Sequence, residues 1–473
     1  MKIFKKTSLV WDKYFLHLLE ERICYIVTTL HLGKGYHLLR SSYMTLCYLS
    51  MATLTPPPQL QLFKLLFLDR MQGKLSCWNV WFNIFSVNLL EILILETVSL
   101  RICFFRTSCN ASSKEDAVIF TGSGCTGAVH KLIGVLELKS PIIFVGAREH
   151  HSNLLPWREI GAKVVNIRLN ARGLTDLDHL EDELKNHQDD KDDSLVMAGC
   201  FSIASNVTGV LEDDLAVTSL LHRYGALSFW DYAAAAPYIN INMNPSLPND
   251  PDSRLFYKDA IYFSMHKFLG GPQTPGILIA KKYLFQNSVP DRVGGGTVAY
   301  VTDTDHRYHE DPEVREEGGT PAIIESIRAG MVFKLKMTVG VDFIMNKEEM
   351  MREKFMTKFQ SNRNMQILGP SFSCQLPIFS LLILHPESGL YLHYNMPWFS
   401  TEDEVDFILS ALDLVTTDGW RLLPLYTFNP STGEWRHVNS RGANDRIRLH
   451  HATFLPHNNL KVSTKKFFFQ RFL

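Results

Sequence analysis

Lys267 stands directly after an apolar run, in SMHKFLGGP (264–272), beside His266 and ahead of two glycines. An amine at a strand end, partly withdrawn from water, can condense with an aldehyde to form a Schiff base. A surface lysine fits the same place, and spacing alone favours that plainer role. Asp231 closes a second apolar run in FWDYAAAAPY. It is either a cap on a turn or helix, or a buried carboxylate that would hold a pyridine nitrogen protonated. A third segment, Thr121 to Gly127, reads TGSGCTG between an apolar run and a helical pattern. Free backbone N–H groups at the positive end of a helix dipole, with the Thr126 hydroxyl, form a phosphate site. The pattern is neither the P-loop nor the dinucleotide fingerprint, so it is weak taken alone. The fourth segment is EHHSNLLPW (149–157). Its two histidines lack a third ligand of matching spacing, so no metal site is expected. An imidazole there can stack on an aromatic ring, or it is simply a polar loop histidine.

Elements of one kind must position these groups. AVIF (117–120), PIIFVG (141–146), AKVVNIRL (162–169), SLVMAGCF (194–201), ALSFWDYA (226–233), DAIYFSMHK (259–267) and GILIAKK (276–282) read as seven short strands. TGSGCTGAVHKLIGVL reads as a glycine loop and helix, and LAVTSLLHRYG as a helix stopped by Gly225. Short apolar strands alternating with helices predict an α/β domain with a mostly parallel sheet. Such sheets bind ligands at the strand ends. A charged amphipathic helix (340–363), the run LPIFSLLILH (376–385) and the helix EDEVDFILSALDLV (402–415) predict a smaller C-terminal α+β domain.

The 473 residues are 46% hydrophobic and 21% charged, an ordinary globular balance. A formal net charge of -1 offers no general attraction to nucleic acid or an acidic membrane. Eight scattered cysteines, none with CxxC spacing, argue against zinc and a redox dithiol and for a reducing, cytoplasmic compartment. The segment 1–110 is apolar and poorly punctuated. Within it, 81–105 is a membrane candidate interrupted by Glu91, Glu96 and Arg101. Each ionised side chain near a bilayer centre costs roughly 2.5–3.5 kcal/mol, so a buried helix is expected instead. MKIFKKTSLVW lacks the apolar run and cleavage site of a signal peptide.

The four segments, together with SNVTG and EEGGTPAI and in this order, resemble the class V aminotransferase family, in its cysteine desulfurase-like branch. The resemblance runs from about Asp116 to Lys336 and resumes to about Val438. It implies a fold type I enzyme dependent on pyridoxal 5'-phosphate. The large domain would span 111–335, a small and incomplete C-terminal domain 336–440, and an irregular basic tail 441–473. It implies that Lys267 carries the cofactor as a Schiff base, and that Ser264, His266, Cys125 and Thr126 hold its phosphate. His150 would stack on the ring and shuttle protons, Asn206 would lie near the ring hydroxyl, and Asp231 would pair with the ring nitrogen. Thr320 would reach the phosphate of the opposite subunit in a homodimer. The implied substrate is a small amino acid.

Three features depart from the family's pattern. Ala234 stands where a glutamine near the ring oxygen is usual. LHYN (392–395) runs straight into MPWFSTEDEVDF (396–407), where long relatives carry a glycine- and cysteine-rich loop. Cys374, the only cysteine downstream of Lys267, is expected to fill the core or an edge. Residues 1–110 show none of the family's N-terminal pattern. The alternative function is therefore a catalytically inactive protein of this fold, acting by binding or dimerisation.

Overall fold

The computed structural model describes residues 98–189, 196–370, 374–385, 388–429, 431 and 434–438. The N-terminal lysines, most of the 81–105 stretch and the basic tail lie outside them. The described chain opens with helix α1 (Val98–Ser108), followed by strand β1 (Asp116–Thr121) and helix α2 (Gly124–Leu136). β2 (Ile142–Gly146), α3 (His151–Glu159), β3 (Lys163–Ile167), α4 (Leu177–Asp189), β4 (Met197–Ser202), α5 (Asp214–Arg223) and β5 (Leu227–Asp231) alternate. β6 (Ala260–Ser264) and β7 (Gly276–Lys281) complete the large sheet. The strand order is β1-β7-β6-β5-β4-β2-β3. β7 pairs antiparallel with both β1 and β6, whereas the other four pairings are parallel.

Why these runs become strands follows from their burial. Successive side chains of a strand face opposite sides of the sheet, and helices cover both sides here, so the strands are apolar throughout. Phe144, Phe201, Trp230, Ile261 and Phe263 face one cluster, which α1, α4, α5 and a later helix enclose. Ile143, Val145, Cys200, Phe229 and Tyr262 face the other, under α2 and Trp157 of α3.

The helix α1 lies inside the segment 1–110 that was set apart as atypical, yet it belongs to the large core. Ile102, Phe105 and Cys109 recur at helical spacing and are buried. The Phe105 ring meets Phe120 at 5.7 Å and Phe333 at 5.4 Å between centroids. Phe105→Ala is expected to cost about 3–5 kcal/mol of unfolding free energy, the usual range for a buried phenylalanine. Equilibrium denaturation checks this, and a loss below about 1 kcal/mol would remove α1 from the cooperative core. No helix among the described residues is long and apolar enough to cross a membrane.

β1 is an edge strand, and its outward N–H groups need acceptors. Val118 N donates to Glu313 at 2.8 Å and Phe120 N to Glu317 at 2.7 Å. These two carboxylates take the place of a neighbouring strand. They follow the hairpin β8 (Val298–Val301) and β9 (His306–Tyr308), and they precede helix α6 (Ile323–Val339).

The C-terminal part is α+β. Helix α7 (Val341–Phe359) leads into the antiparallel sheet β10 (Met365–Ile367), β11 (Ile378–His385) and β12 (Ser388–Asn395). Helix α8 (Glu402–Asp418) begins at a capping box between Thr401 and Glu404. Phe355, Phe359, Phe379, Leu381, Val405 and Leu409 form its core.

Candidate active site

Because β7 is antiparallel to both its neighbours, β1 runs parallel to β6. The carboxyl ends of β1, β2, β4, β5 and β6 therefore share one side of the sheet. Each of the chemical segments leaves the sheet there.

β1 ends at Thr121, and three residues later α2 begins at Gly124, so Cys125, Thr126 and Gly127 lie in its first turn. Cys125 N donates to Ser264 Oγ at 2.9 Å, tying that turn to the end of β6. Gly124 has φ +62°, and a Cβ there would lie 2.7 Å from Ser264 Oγ and 2.8 Å from His266 Cε1. Only glycine permits both that backbone and that approach. The Thr126 and Ser152 hydroxyls are 2.8 Å apart, which links α2 to α3.

The strand expected to run through Lys267 stops at Ser264. Met265–Lys267 form a 3-10 turn with Met265 buried, while His266 and Lys267 are exposed. The turn swings the lysine off the sheet and toward the shared end. Unlike the exposed Lys267, the buried lysines are committed to carboxylates or backbone carbonyls. Lys281 pairs with Asp116 at 2.9 Å, Lys258 with Asp214 at 2.6 Å, and Lys131 with Glu316 at 3.3 Å.

Asp231 ends β5 and is 4% exposed. Ala233 N donates to its Oδ1 at 2.7 Å, and the Cys125 thiol donates to the same oxygen at 3.6 Å. Burial raises the Asp231 carboxyl above its usual value, while the Ala233 bond, Lys267 and His150 pull it back down. Cys125 was expected to touch the phosphate; its backbone faces the helix start, but its thiol is sunk against Asp231. Burial and the Asp231 charge push that thiol far up.

His150 caps α3, its Nδ1 accepting from Ser152 N at 3.1 Å. Partial desolvation lowers its imidazole, as it does that of His266, so both favour the neutral ring near pH 7. Asn206 lies half-buried in the turn after β4, which Ser205 Oγ caps. Thr320 lies in the loop before α6, three residues after Glu317. It is exposed, and its loop is bonded to Gly295 through Gly319 N at 2.8 Å.

Arg446 and Arg448 lie outside the described residues. Arg328 is 1% exposed and donates to Pro272 O, so it braces the loop after Lys267. Cys374 was expected to fill the core or an edge. Its side chain is exposed, although its backbone sits on an edge: Cys374 O accepts from Leu211 N at 2.9 Å, and Gln375 bridges Val210.

Sequence reasoning missed a polar group beneath these residues. Glu149 accepts from Ser202 N at 3.0 Å, from Ser202 Oγ at 2.6 Å and from Asn153 Nδ2 at 2.6 Å. Asn153 in turn accepts from the Tyr262 hydroxyl. The motif EHHSN held the signal, but the histidines drew the attention.

A helix start backed by Ser264 and His266, a buried aspartate and a strand-end lysine lie on one side of a mostly parallel sheet flanked by helices, the architecture of fold type I. The sequence profile of the family Aminotransferase class-V matches residues 105–385, and the chain belongs to that family. The family depends on pyridoxal phosphate. A protein named "Probable cysteine desulfurase" from Halalkalibacterium halodurans is 27% identical over 285 residues, covering 59% of this chain and 65% of the relative. One of the same name from Chlamydia muridarum is 32% identical over 270 residues, covering 54% and 60%. The chain thus spans 65% and 60% of the length of these two relatives. Among solved structures, the apo cysteine desulfurase of Thermococcus onnurineus NA1 has the same fold, with a TM-score of 0.57 at 20% identity over 70% of this chain and 86% of that one. The cysteine desulfurase CsdA of Escherichia coli gives 0.56 at 20% identity, over 68% and 84%.

Proposed function

We propose that this chain is a pyridoxal-phosphate-dependent enzyme acting on a small amino acid, of the cysteine desulfurase kind. The observation that carries this reading is the gathering of α2, Asp231 and Lys267 at one end of the sheet. The donors fit the cofactor. The first turn of α2, with Thr126, Ser264 and His266, suits a phosphate dianion. The buried carboxylate of Asp231 suits a pyridinium nitrogen, and its Oδ2 is used by neither Ala233 nor Cys125. When bound, the cofactor supplies an aldehyde for the lysine amine and a ring that withdraws electrons from the substrate α-carbon.

The chain's own groups then divide the work. Lys267 holds the cofactor through its amine, and once released takes the α-proton and returns it. Asp231 keeps a proton on the ring nitrogen. His150, held neutral, is the imidazole for stacking and proton carriage. Thr320, exposed in the loop before α6, is the residue for a partner's phosphate in an isologous homodimer. A reducing, cytoplasmic setting is part of this proposal. The test is a visible absorbance band in purified protein supplied with cofactor, together with borohydride trapping on Lys267. A colourless protein that traps nothing would overturn the reading.

One feature supports the second reading, a catalytically inactive protein of this fold that acts by binding or dimerisation. Sulfur transfer needs a thiolate on a mobile loop. β12 ends at Asn395 and α8 starts at Glu402, with the capping box already formed at Thr401. Cys374 is accessible, but its backbone is bonded, and partial burial and Glu349 raise its thiol. Burial raises Cys200 still further. The expected result is slow or negligible persulfide formation from cysteine under reducing conditions. Fast sulfide release that vanishes in Cys374→Ala would reverse this expectation.

A further inference from the structure

We propose that Glu149 is the positioning residue of this site, a single carboxyl group that fastens the ends of β2, β4 and β6 beneath the cofactor and acts on Asp231 through its charge. The inference rests on the proposed cofactor site and adds a residue to it.

The geometry is a three-way clamp. Glu149 follows β2 and directly precedes His150. Its Oε1 takes Ser202 N at 3.0 Å, and its Oε2 takes Ser202 Oγ at 2.6 Å and Asn153 Nδ2 at 2.6 Å. Ser202 is the last residue of β4 and the register partner of Asp231. Asn153, fully buried on α3, passes the connection to the Tyr262 hydroxyl on β6. Tyr262 is the other register partner of Asp231 and lies two residues before Ser264. The elements beside His150, Asn206 and Lys267 are thus tied to one carboxyl group, and the strand that ends at Asp231 runs between the two tied strands β4 and β6. The fit is close, since a Cβ on Gly146 would lie 2.7 Å from Glu149 Oε1.

Donors converging on a carboxylate ordinarily keep it ionised. Here burial outweighs them, and Glu149 is pushed up to about 7, with Asp231 adding to the rise. Below that pH it carries a proton and no charge; above it, the proton goes to solvent and a second negative charge appears near Asp231. The titratable and charged groups around it are Asp231 on β5, Cys200 on β4, Tyr262 on β6 and Arg148 beside it. Arg148 is itself paired with Glu212 at 3.0 Å. A negative Glu149 raises the proton affinity of Asp231, and so strengthens the hold on a ring nitrogen.

The test uses the full chain with its cofactor reduced onto lysine by borohydride, which removes the titrating imine and leaves the ring as the reporter. Ring absorbance and fluorescence are followed from about pH 5 to about pH 9. The parent should show an inflection near neutrality, and Glu149→Gln should lose it while retaining the trapped cofactor. An unchanged inflection in Glu149→Gln, or none in the parent, would overturn the proposal. Ser202→Ala provides a second variant if Glu149→Gln fails to fold. It removes one donor to the carboxylate and should raise the inflection by roughly half to one pH unit; an unmoved inflection would count against the clamp. A merely structural role would lower stability without moving either inflection. If the parent traps no cofactor, the proposed function fails by itself. The infrared band of the protonated carboxyl in the cofactor-free chain then decides the Glu149 assignment, which requires that band to fade as pH rises through neutrality and to be absent in Glu149→Gln.

Discussion

Lys267→Ala abolishes both the visible band of the bound cofactor and its trapping by borohydride, and it lowers turnover by at least about 10²- to 10⁴-fold. That range is the share typical of a positioned proton-transfer group, and the loss of covalent attachment adds to it. The reason is positional. The 3-10 turn Met265–Lys267 buries Met265 and leaves the lysine at the strand-end cleft. Among the described residues, no buried lysine can substitute without breaking an existing bond. Lys281 would have to leave Asp116, Lys258 would have to leave Asp214, and Lys336 would have to leave the Ala236 carbonyl at 2.6 Å. Folding should change little, because Lys267 is exposed and spans no core. Peptide mapping of the reduced protein checks the assignment. Cofactor found on Lys281 in the parent would end it.

Asp231→Asn lowers turnover by about 10- to 150-fold, the equivalent of a charge-assisted hydrogen bond of about 1.5–3 kcal/mol. Asparagine keeps an Oδ1 that can accept from Ala233 N, so the turn after β5 survives. It cannot hold a proton on a ring nitrogen by charge. Asp231→Ala goes further, because it also leaves the Ala233 N–H and the Cys125 thiol without their acceptor in a buried place. Each orphaned donor costs about 1–3 kcal/mol, so that variant loses stability as well as turnover. The two variants separate charge from architecture: turnover falls in both, unfolding free energy chiefly in alanine. Full activity in Asp231→Asn would remove the charge from the mechanism.

Much of this was legible along the chain. The strand runs were readable because helices cover both faces of the sheet, and a strand buried on two faces is apolar at every position. AVIF and PIIFVG differ from β1 and β2 by one or two residues at the ends. DAIYFSMHK overshot because Met265 is apolar and buried, so nothing in composition marks the turn at Ser264. Cys374 was misjudged for the opposite reason. An apolar neighbourhood in sequence says nothing about which side of an edge a side chain takes. The histidines of EHHSN were noticed and Glu149 was not, because its partner Ser202 lies 53 residues away.

The sequence by itself determined the family and the strand-and-helix alternation, and it named the candidate reactive groups, since these depend on local pattern and on short motifs. Only the tertiary structure decided how those groups act on one another. The insertion of β7 between β1 and β6 turns the end of β1 to the same side as Lys267. The packing of α1 extends the core into a segment that looked foreign. The closeness of the ends of β2, β4 and β6 across the sheet lets one carboxyl group join them, directly at Ser202 and through Asn153 at Tyr262. Proximity across a sheet and loss of water are properties of the folded whole, and they fix whether a carboxylate is charged and what it touches.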